Sequence, residues 1–252
     1  MTDLSIMYSG GLDSLIMYNY ARYHGFDPIC LYVDFGHPYA DKELKSIKKN
    51  NKWTPEVEVI KLDSLYKLVE SRLSNQIIPS RNLLLSTIGA MFSPRVWIGA
   101  LDGEQLGKEH DKSERFFEDS TKLLTFTNEF FQQETIIEAP FANMSKSETI
   151  KWALNVGKVP LDVLLETSSC YSGTDEKCGK CLTCIKRYIA FLSNGIIEPG
   201  YKTDPLKSEY FKELNREIPL ALKNRDFSRF TPKRIKEFLD VKEMYGDLID
   251  SN

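Results

Sequence analysis

The chain has 252 residues, of which 42% are hydrophobic and 27% charged, and its formal net charge is −3. This length allows one sizeable hydrophobic core with a small appendage. The slightly acidic charge offers no broad electrostatic basis for binding long nucleic acid, so we expect no stable nucleic-acid partner. No apolar run approaches the length of a membrane span, and the N-terminus has neither a basic region nor a cleavage site. We therefore expect a cytoplasmic protein with no membrane partner.

A glycine pair follows the first predicted strand, Ser5–Tyr8, and precedes a predicted helix, Ser14–His24. Paired glycines permit positive φ and allow a ligand to approach the backbone without clashing with Cβ atoms. Successive N–H groups in such a turn form an anion-binding nest, and the start of a helix adds about half a positive charge. We therefore predict that a nucleotide is bound by Ser9, Gly10, Gly11, Leu12, Asp13 and Ser14.

This turn differs from the P-loop that carries a lysine after its last glycine, because Asp13 stands where that motif needs a cation. A carboxylate beside a polyphosphate suits a group that holds Mg²⁺ or orients a reacting group. The alternative is a plain tight turn in which Asp13 or Ser14 caps the helix. The complete Ser-Gly-Gly-x-Asp-Ser run favours nucleotide binding, and it resembles the signature of the PP-loop ATP pyrophosphatases. Those enzymes cleave ATP to AMP and pyrophosphate while they adenylate a substrate.

Predicted strands and helices alternate through the first part of the chain. The strands are Ser5–Tyr8, Ile29–Asp34, Glu56–Lys61, Val96–Gly99 and Thr135–Glu138. The helices are Ser14–His24, Tyr39–Asn50, Ser64–Leu73, Asn82–Phe92, Arg115–Phe131 and Lys146–Val156. Such alternation predicts an α/β fold with a doubly wound, mostly parallel five-stranded sheet. Ligands bind beyond the carboxyl ends of the strands in such sheets, so we expect Ser9–Ser14, Asp34–His37 and Ala100–Gly103 to surround one crevice.

Four of the five cysteines are clustered after this pattern, with the spacing Cys-x7-Cys-x2-Cys-x2-Cys. They are Cys170, Cys178, Cys181 and Cys184. Disulfides are poorly suited to a reducing compartment, whereas four thiolates close a tetrahedral shell around Zn²⁺ and leave no position for water. We predict a structural zinc site, with an iron–sulfur cluster as the alternative. The charge of the thiolates is expected to be offset by Lys177, Lys180, Lys186 and Arg187.

These features divide the chain into three predicted segments. Residues 1–160 form the nucleotide-binding α/β domain, residues 161–200 the helical zinc-binding region, and residues 201–252 a charged helical extension packed on the same unit. Further helices are predicted at Leu182–Ser193, Pro205–Leu214 and Pro232–Tyr245. The extension carries no readable chemistry, so we expect a solvated cover or a contact within a homodimer. Helical spacing also predicts core positions for Phe116, Phe117, Phe126, Phe130 and Phe131.

The glycine turn and the cysteine cluster occur in the same order as in the 7-cyano-7-deazaguanine synthase family, which the chain resembles from about Leu4 to Leu192. Shorter similar stretches are Phe35-Gly36-His37, Pro79-Ser80-Arg81-Asn82, Ile98-Gly99-Ala100, Ser145-Lys146-Ser147-Glu148 and Thr167-Ser168-Ser169-Cys170-Tyr171. The resemblance implies an adenine nucleotide alpha hydrolase-like fold and a ligase that uses ATP with Mg²⁺ to adenylate 7-carboxy-7-deazaguanine. Ammonia then displaces AMP to give an amide, and further ATP dehydrates the amide to a nitrile.

This resemblance assigns roles to the predicted site. The leaving pyrophosphate would be bound by Ser9, Gly10, Gly11 and Ser14, while Asp13 would help to hold Mg²⁺. Lys146 would act with Asp13 in catalysis by placing a mobile cation against the phosphates, the alternative being a solvated surface lysine. Arg81 and Asn82 would recognise ATP or the edge of the deazaguanine, the alternative being an ion pair and a cap at a helix start.

Contacts with the deazaguanine acid are predicted in two places. His37 follows the second strand near the predicted crevice, where it is either a substrate contact or a turn residue. The loop Gly103–Arg115 departs from the Tyr-Pro-Asp-Cys-Arg-like stretch of the family, but Asp111 and Arg115 keep an acid and a base four residues apart. An aspartate accepts hydrogen bonds from a guanine-like N1–H and amino group, so Asp111 and Arg115 are predicted contacts, with Asp102 as a further candidate.

Three alternatives accompany the nitrile-forming synthase. One is a synthetase that stops at the amide, and another is a PP-loop enzyme that modifies tRNA. The third is a nucleotide-binding regulatory module without catalysis. The acidic charge and the commitment of the cysteines to metal count against tRNA modification. The intact glycine turn together with Lys146 counts against the non-catalytic module.

Overall fold

A computed structural model describes residues 3–49, 51–73, 78–104, 110–172 and 176–250. Its five strands are Leu4–Met7 (β1), Ile29–Asp34 (β2), Val57–Lys61 (β3), Arg95–Trp97 (β4) and Ile136–Glu138 (β5). They form one sheet in the order β3-β2-β1-β4-β5, and each pairing is parallel. The predicted α/β class with a five-stranded parallel sheet is confirmed. The ends of every predicted strand lie within two residues of the ends of an observed strand.

The helices that connect and follow these strands largely match the predicted segments. They are Leu12–Tyr23 (α1), Ala40–Ile47 (α2), Leu65–Val69 (α3), Arg81–Ala90 (α4), Glu114–Thr127 (α5), Lys146–Asn155 (α6), Leu161–Leu165 (α7), Leu182–Leu192 (α8), Glu209–Asn224 (α9) and Pro232–Asp250 (α10). The short helix α7 was not predicted. The predicted helix Pro205–Leu214 is a 3-10 turn, Pro205–Lys207, followed by the longer α9, which begins after Ser208 caps it.

Two hydrophobic clusters cover the two faces of the sheet. Leu4 and Ile6 of β1 belong to one cluster, which also contains residues of α1, α6 and α8. Met7 of the same strand belongs to the other cluster, with residues of α4 and α5. Neighbouring side chains of a strand point to opposite faces, so this division shows helices packed on both sides of the sheet. The sheet is therefore doubly wound, and the ends of its strands are the accessible edges.

The C-terminal extension has a buried face of its own. Its helices α9 and α10 pack against Ile185, Ile189 and Leu192 of α8 in a third hydrophobic cluster. Phe211 of α9 and Phe238 of α10 are buried within this cluster, with their rings 5.5 Å apart. Because α8 also packs on the sheet, this helix joins the hydrophobic core of the extension to that of the α/β domain. In the described part of the chain, no helix is both long and apolar enough to cross a membrane.

Three of the five aromatic residues predicted to lie in the core are exposed. Phe117 is buried, but Phe126, Phe130 and Phe131 have 74%, 89% and 72% of their surface exposed. The buried face of α5 consists of Phe117, Ser120 and Leu124, which places Phe126 on the solvent side. The other two phenylalanines follow the end of α5 in a 3-10 turn. The core prediction was wrong for these three because helical spacing alone does not say which face is buried.

Candidate active site

A cleft of about 560 Å³ lies at the carboxyl end of the sheet, where the strand order reverses between β1 and β4. This switch point is where open parallel sheets bind ligands. The cleft is lined by Ser9, Gly11 and Ser14 after β1, by His37 after β2, and by Gly99 after β4. The predicted loop Ala100–Gly103 does not line the cleft itself, but Glu104, which follows it, does.

The glycine turn has the backbone that an anion site requires. Gly10 has φ of +71°, and a Cβ there would lie 3.0 Å from Ser46 Cβ and 3.2 Å from the Glu43 carbonyl oxygen. Ser46 Oγ donates a hydrogen bond of 2.7 Å to the Gly10 carbonyl, which fixes the peptide orientation from α2. Gly11, at the N-cap of α1, has no side chain to cap the helix, so the first amides of α1 are left for a ligand.

Asp13 and Lys146 form an ion pair inside the cleft. Lys146 Nζ lies 2.5 and 2.6 Å from the two carboxylate oxygens of Asp13. Lys146 is the first residue of α6, directly after a capping box in which Ser145 and Glu148 each accept a backbone N–H of the other. The alternative of a solvated surface lysine is wrong, because only 16% of the Lys146 side chain is exposed. The structure thus joins two predicted catalytic residues that are 133 positions apart.

A second acidic residue in the cleft was not predicted. Glu104 accepts hydrogen bonds from Lys112 Nζ at 3.1 Å and from the Leu101 amide at 3.2 Å. Burial by itself would raise the pKa of Glu104, but the positive charges of Lys112, Lys146 and Lys186 hold that pKa below its usual value. The cleft therefore contains an ionised carboxylate close to Lys146. No motif marks Glu104, and only its position just after β4 could have drawn attention to it.

An aromatic row forms the wall of the cleft beside β2. The His37 and Tyr39 rings are 4.2 Å apart, and the Tyr39 and Tyr171 rings are 4.9 Å apart. Glu43 Oε2 lies 3.0 Å from both the Tyr32 hydroxyl and His37 Nε2, so His37 is held by this carboxylate. Burial raises the pKa of Tyr171 to about 12, which keeps its phenol neutral. Such a wall offers ring faces to a planar ligand.

Arg81 and Asn82 line the cleft at the start of α4. Asn82 is not the helix cap, because that position is held by Ser80 in a left-handed conformation. The Asn82 side-chain amide donates 3.1 Å to the Asp111 carbonyl oxygen and so supports the loop that follows β4. Arg81 lies against Tyr39, and within the described residues its buried Nε atom has no hydrogen-bond partner. A buried donor without a partner is expensive, and a ligand acceptor would satisfy it.

Two predicted substrate contacts do not line this cleft. Asp102 accepts a hydrogen bond from the Thr231 hydroxyl and borders a separate cavity of about 60 Å³. The Arg115 side chain is 88% exposed and pairs with Asp119 on the outer surface of α5 at 3.2 Å. Asp111, from the same loop, does line the cleft. Residues 105–109 of the predicted substrate loop lie outside the described residues.

The four clustered cysteines are brought together as predicted. Their sulfur atoms all lie within 4.8 Å of one another, with Cys178 and Cys184 at 3.9 Å and Cys170 and Cys181 at 4.0 Å. Tetrahedral Zn–S bonds of about 2.3 Å separate the sulfurs by about 3.8 Å, so the arrangement fits a metal such as zinc. Backbone amides donate to the sulfurs, including that of Cys178 to Cys170 Sγ at 3.4 Å, which favours the thiolate form.

A buried ion pair lies beneath the cysteine cluster. Arg187 Nε donates 2.9 Å to Glu198, and the other guanidinium nitrogens donate to Thr167 Oγ1 at 2.7 Å and to the Leu164 carbonyl at 3.0 Å. Lys177 also pairs with Glu198, at 2.5 Å. Lys177 and Arg187 thus both pair with a glutamate that sequence reasoning had missed. Their two positive charges exceed its single negative charge, so the expectation that they offset the thiolate charge stays a prediction. Arg187 also donates a hydrogen bond to Ser169 Oγ. This bond fixes the segment that contains Ser168 and Ser169 at the rim of the cleft.

The parallel sheet, the cleft at its switch point and the four-cysteine cluster define an α/β protein with a small-molecule site and a site suited to a metal. Residues 4–195 match the family model described as queuosine biosynthesis protein QueC. Because this match spans most of the chain, the protein belongs to that family.

Relatives of known name support the same grouping. The chain is 25% identical to 7-cyano-7-deazaguanine synthase 2 of Colwellia psychrerythraea, over 79% of this chain and 98% of that protein. It is 26% identical to 7-cyano-7-deazaguanine synthase of Marinobacter nauticus, over 79% of this chain and 97% of that protein. It is also 27% identical to 7-cyano-7-deazaguanine synthase of Picrophilus torridus, over 91% of this chain and 100% of that protein. The match with the Picrophilus torridus protein therefore extends over a larger share of the chain than the family model, which covers residues 4–195.

Proposed function

We propose that this protein is an ATP-dependent 7-cyano-7-deazaguanine synthase. The carboxylate of 7-carboxy-7-deazaguanine attacks the α-phosphorus of ATP, which gives an acyl adenylate and releases pyrophosphate. Ammonia then displaces AMP and loses a proton to give the amide, and further ATP activates the amide oxygen for loss as the nitrile forms. The observation that carries this proposal is the Asp13–Lys146 pair beside a glycine turn at the switch point of the sheet.

The glycine turn accounts for binding of the leaving group. Backbone amides at the start of α1, with the hydroxyls of Ser9 and Ser14, form a site suited to the β- and γ-phosphates. Asp13 is an oxygen ligand of the kind Mg²⁺ prefers, and Mg²⁺ would supply charge neutralisation on the phosphates there. Pyrophosphate formed in this site is stabilised by the same donors that bind it as part of ATP.

Lys146 accounts for stabilisation of the transition state. Negative charge grows on the bridging oxygen and the leaving phosphates as the α-phosphorus is attacked. An ammonium group already held in a partly buried cleft stabilises that charge with little reorganisation. This ammonium group is paired with Asp13, and phosphate oxygens of bound ATP would take the place of that carboxylate.

The opposite wall of the cleft suits the acid. The Tyr39 and Tyr171 rings offer faces for a planar base, and Arg81 has a buried Nε atom available to an acceptor. Asp111, supported by Asn82, is the predicted acceptor for guanine-like N–H groups. A volume of about 560 Å³ is within the range of small-molecule sites.

The test is a product analysis with the metal-replete protein, Mg–ATP, an ammonium salt and 7-carboxy-7-deazaguanine, read by mass spectrometry. Nitrile together with AMP is the expected result. Amide with AMP and no nitrile would instead identify an amide synthetase. Absence of AMP from folded, metal-bound protein would contradict the proposal, and a parallel reaction with tRNA in place of the acid would then test the tRNA-modifying alternative. The acid omitted from an otherwise complete reaction is the control for uncoupled ATP cleavage.

A further inference from the structure

Helix α10 contacts the first turn of α6 although it lies outside the residues matched by the family model. The Ser147 amide donates a hydrogen bond of 2.7 Å to Glu237 Oε1. Lys233 Nζ donates to the Asn143 carbonyl at 2.6 Å and to Glu148 at 2.8 Å. Residues 233 and 237 are four positions apart and therefore share one face of α10. This face contacts the chain on both sides of Lys146.

The same end of α10 contacts the loop that follows β4. The Thr231 hydroxyl donates to Asp102, and Arg234 packs so closely on Gly103 that a Cβ there would lie 2.9 Å from Arg234 Nε. The small cavity of about 60 Å³ lies between these contacts, and both Lys146 and Glu237 line it. The extension therefore lines a second cavity beside Lys146, and this cavity is separate from the cleft that contains the glycine turn.

The contact with Ser147 has a specific physical consequence. The first amides of an α-helix have no partner within the helix and depend on acceptors from outside it. In α6 the Ser145 hydroxyl accepts from the Glu148 amide, and Glu237 accepts from the Ser147 amide. Removal of Glu237 leaves the Ser147 amide without this acceptor in the turn that carries Lys146. The backbone of that turn decides where the Lys146 ammonium group lies relative to Asp13.

We infer that Glu237 is a positioning residue for Lys146, so that the C-terminal extension is a working part of the active site. This inference rests on the proposed function, in which Lys146 stabilises charge on ATP. Glu237 is not among the residues that line the cleft, and its hydrogen bond with Ser147 couples it to Lys146 through the first turn of α6. A small displacement of a catalytic group lowers the rate far more than it weakens ligand binding.

The first arm of the test compares two substitutions in the full-length protein. Glu237→Leu removes the acceptor and is expected to lower kcat about 10- to 100-fold, with KM for ATP and for the acid changed less than about threefold. Glu237→Gln keeps an oxygen acceptor and is expected to retain at least about a third of the wild-type kcat. The matched control is Glu243→Leu, the same change at an exposed position of α10, which is expected to leave kcat unchanged. Equal loss in the Leu and Gln variants, or no loss in either, would overturn the inference.

The second arm does not depend on enzymatic activity. Hydrogen exchange at the Ser147 and Glu148 amides is expected to be about tenfold faster in Glu237→Leu than in wild type, with exchange in β1 unchanged. Unchanged exchange at these amides would overturn the inference even if kcat fell. If the wild-type protein makes no AMP, the proposed function fails, and this arm still decides whether Glu237 orders the turn.

A further variant covers the case in which Glu237→Leu does not fold. Lys233→Met removes the contacts with Asn143 and Glu148 from the other side of Lys146. It is expected to lower kcat about 3- to 10-fold and to speed exchange at the Glu148 amide. A folded Lys233→Met protein with wild-type kcat and wild-type exchange would count against a positioning role for α10.

Discussion

Among the ion pairs of the described residues, two have similar chemistry but very different surroundings. Asp13 and Lys146 meet in the cleft, with 33% and 16% of their side chains exposed. Glu198 and Arg187 meet beneath the cysteine cluster, with 0% and 2% exposed. The first pair lies where a ligand can reach it. The second is enclosed by the protein.

The bonds that each pair makes explain why they differ in role. Arg187 donates from all three guanidinium nitrogens, and Glu198 also accepts from Lys177 and the Tyr201 hydroxyl. That pair has no capacity left for a ligand, so it stabilises the fold around the cysteine cluster. Lys146 Nζ donates to both oxygens of a single carboxylate, and phosphate oxygens make an equivalent acceptor. The polar groups in the cleft can therefore exchange their partners for a ligand. Those beneath the cysteines instead hold the surrounding backbone in place.

Of the changes that test this comparison, loss of metal from the cysteine cluster is expected to lower stability the most. Metal binding at a four-cysteine site contributes on the order of 10 kcal/mol to local folding. Cys184→Ser, or chelation of the wild-type protein, should therefore unfold the region from Thr167 to Tyr201 and disorder the rim of the cleft. Circular dichroism melts with metal analysis would measure this. Cys30→Ala, which changes a buried cysteine outside the cluster and keeps an apolar side chain, is the control. An unchanged melting midpoint in the metal-free protein would contradict a structural role.

Glu198→Ala is expected to have the next largest effect. It leaves the buried Arg187 guanidinium uncompensated, which should lower the free energy of unfolding by about 3–5 kcal/mol. Glu209→Ala removes a glutamate from an exposed pair with Lys212, where solvent screens the charges, and should leave the free energy of unfolding almost unchanged. Urea denaturation measures both. Similar values for the two variants would erase the distinction between buried and exposed ion pairs in this molecule.

The same pair predicts a pH dependence. Burial alone would raise the pKa of Glu198, but Arg187 and the hydrogen bonds to the carboxylate hold that pKa below its usual value. The ionised glutamate therefore stabilises the fold above the ordinary glutamate pKa of about 4.3, and this contribution is lost as the pH falls through the lower folded-state pKa. The unfolding free energy of Glu198→Gln should accordingly fall less steeply in acid than that of wild type. Parallel curves for the two proteins would contradict this assignment.

Lys146→Met should affect catalysis far more than stability. Loss of one preorganised charge donor typically costs about 10²- to 10³-fold in kcat, or about 2.7–4 kcal/mol of transition-state stabilisation. The free energy of unfolding should change by less than about 1 kcal/mol, because the pair with Asp13 is partly exposed. Steady-state kinetics and urea denaturation measure the two quantities. Lys151→Met, at an exposed position of α6, is the matched control, and a kcat within threefold of wild type would exclude Lys146 from the chemistry.

The smallest expected effect concerns the support of the glycine turn. Ser46→Ala removes the hydrogen bond of 2.7 Å to the Gly10 carbonyl, which should cost about 1 kcal/mol. If that bond fixes the peptide orientation for phosphate binding, Mg–ATP should bind about fivefold more weakly by calorimetry. Thr87→Ala removes a comparable bond within α4, away from the turn, and should leave binding unchanged. Equal affinities in the two variants would show that the turn keeps its shape without α2.

The sequence by itself determined the features that depend on local pattern. Short apolar segments predicted all five strands. β1 and β2 have the continuous apolar runs of strands buried on both faces, whereas β3, at the edge of the sheet, is largely exposed. The Ser9–Ser14 turn was visible because positive φ, as at Gly10, strongly favours glycine. The cysteine cluster was visible because two cysteines three positions apart can share one ion. Each of these signals is contained within a few neighbouring residues.

Only the tertiary structure decided which distant residues meet. Glu104, Arg187, Glu198 and Glu237 carry no motif, and their partners come from other elements, such as Ser147 at 90 positions from Glu237. The exposure of Phe130 and the distance of Asp102 from the cleft likewise follow from where helices end and pack. Burial, pairing and charge compensation depend on which elements pack together. A single segment of sequence does not determine that packing.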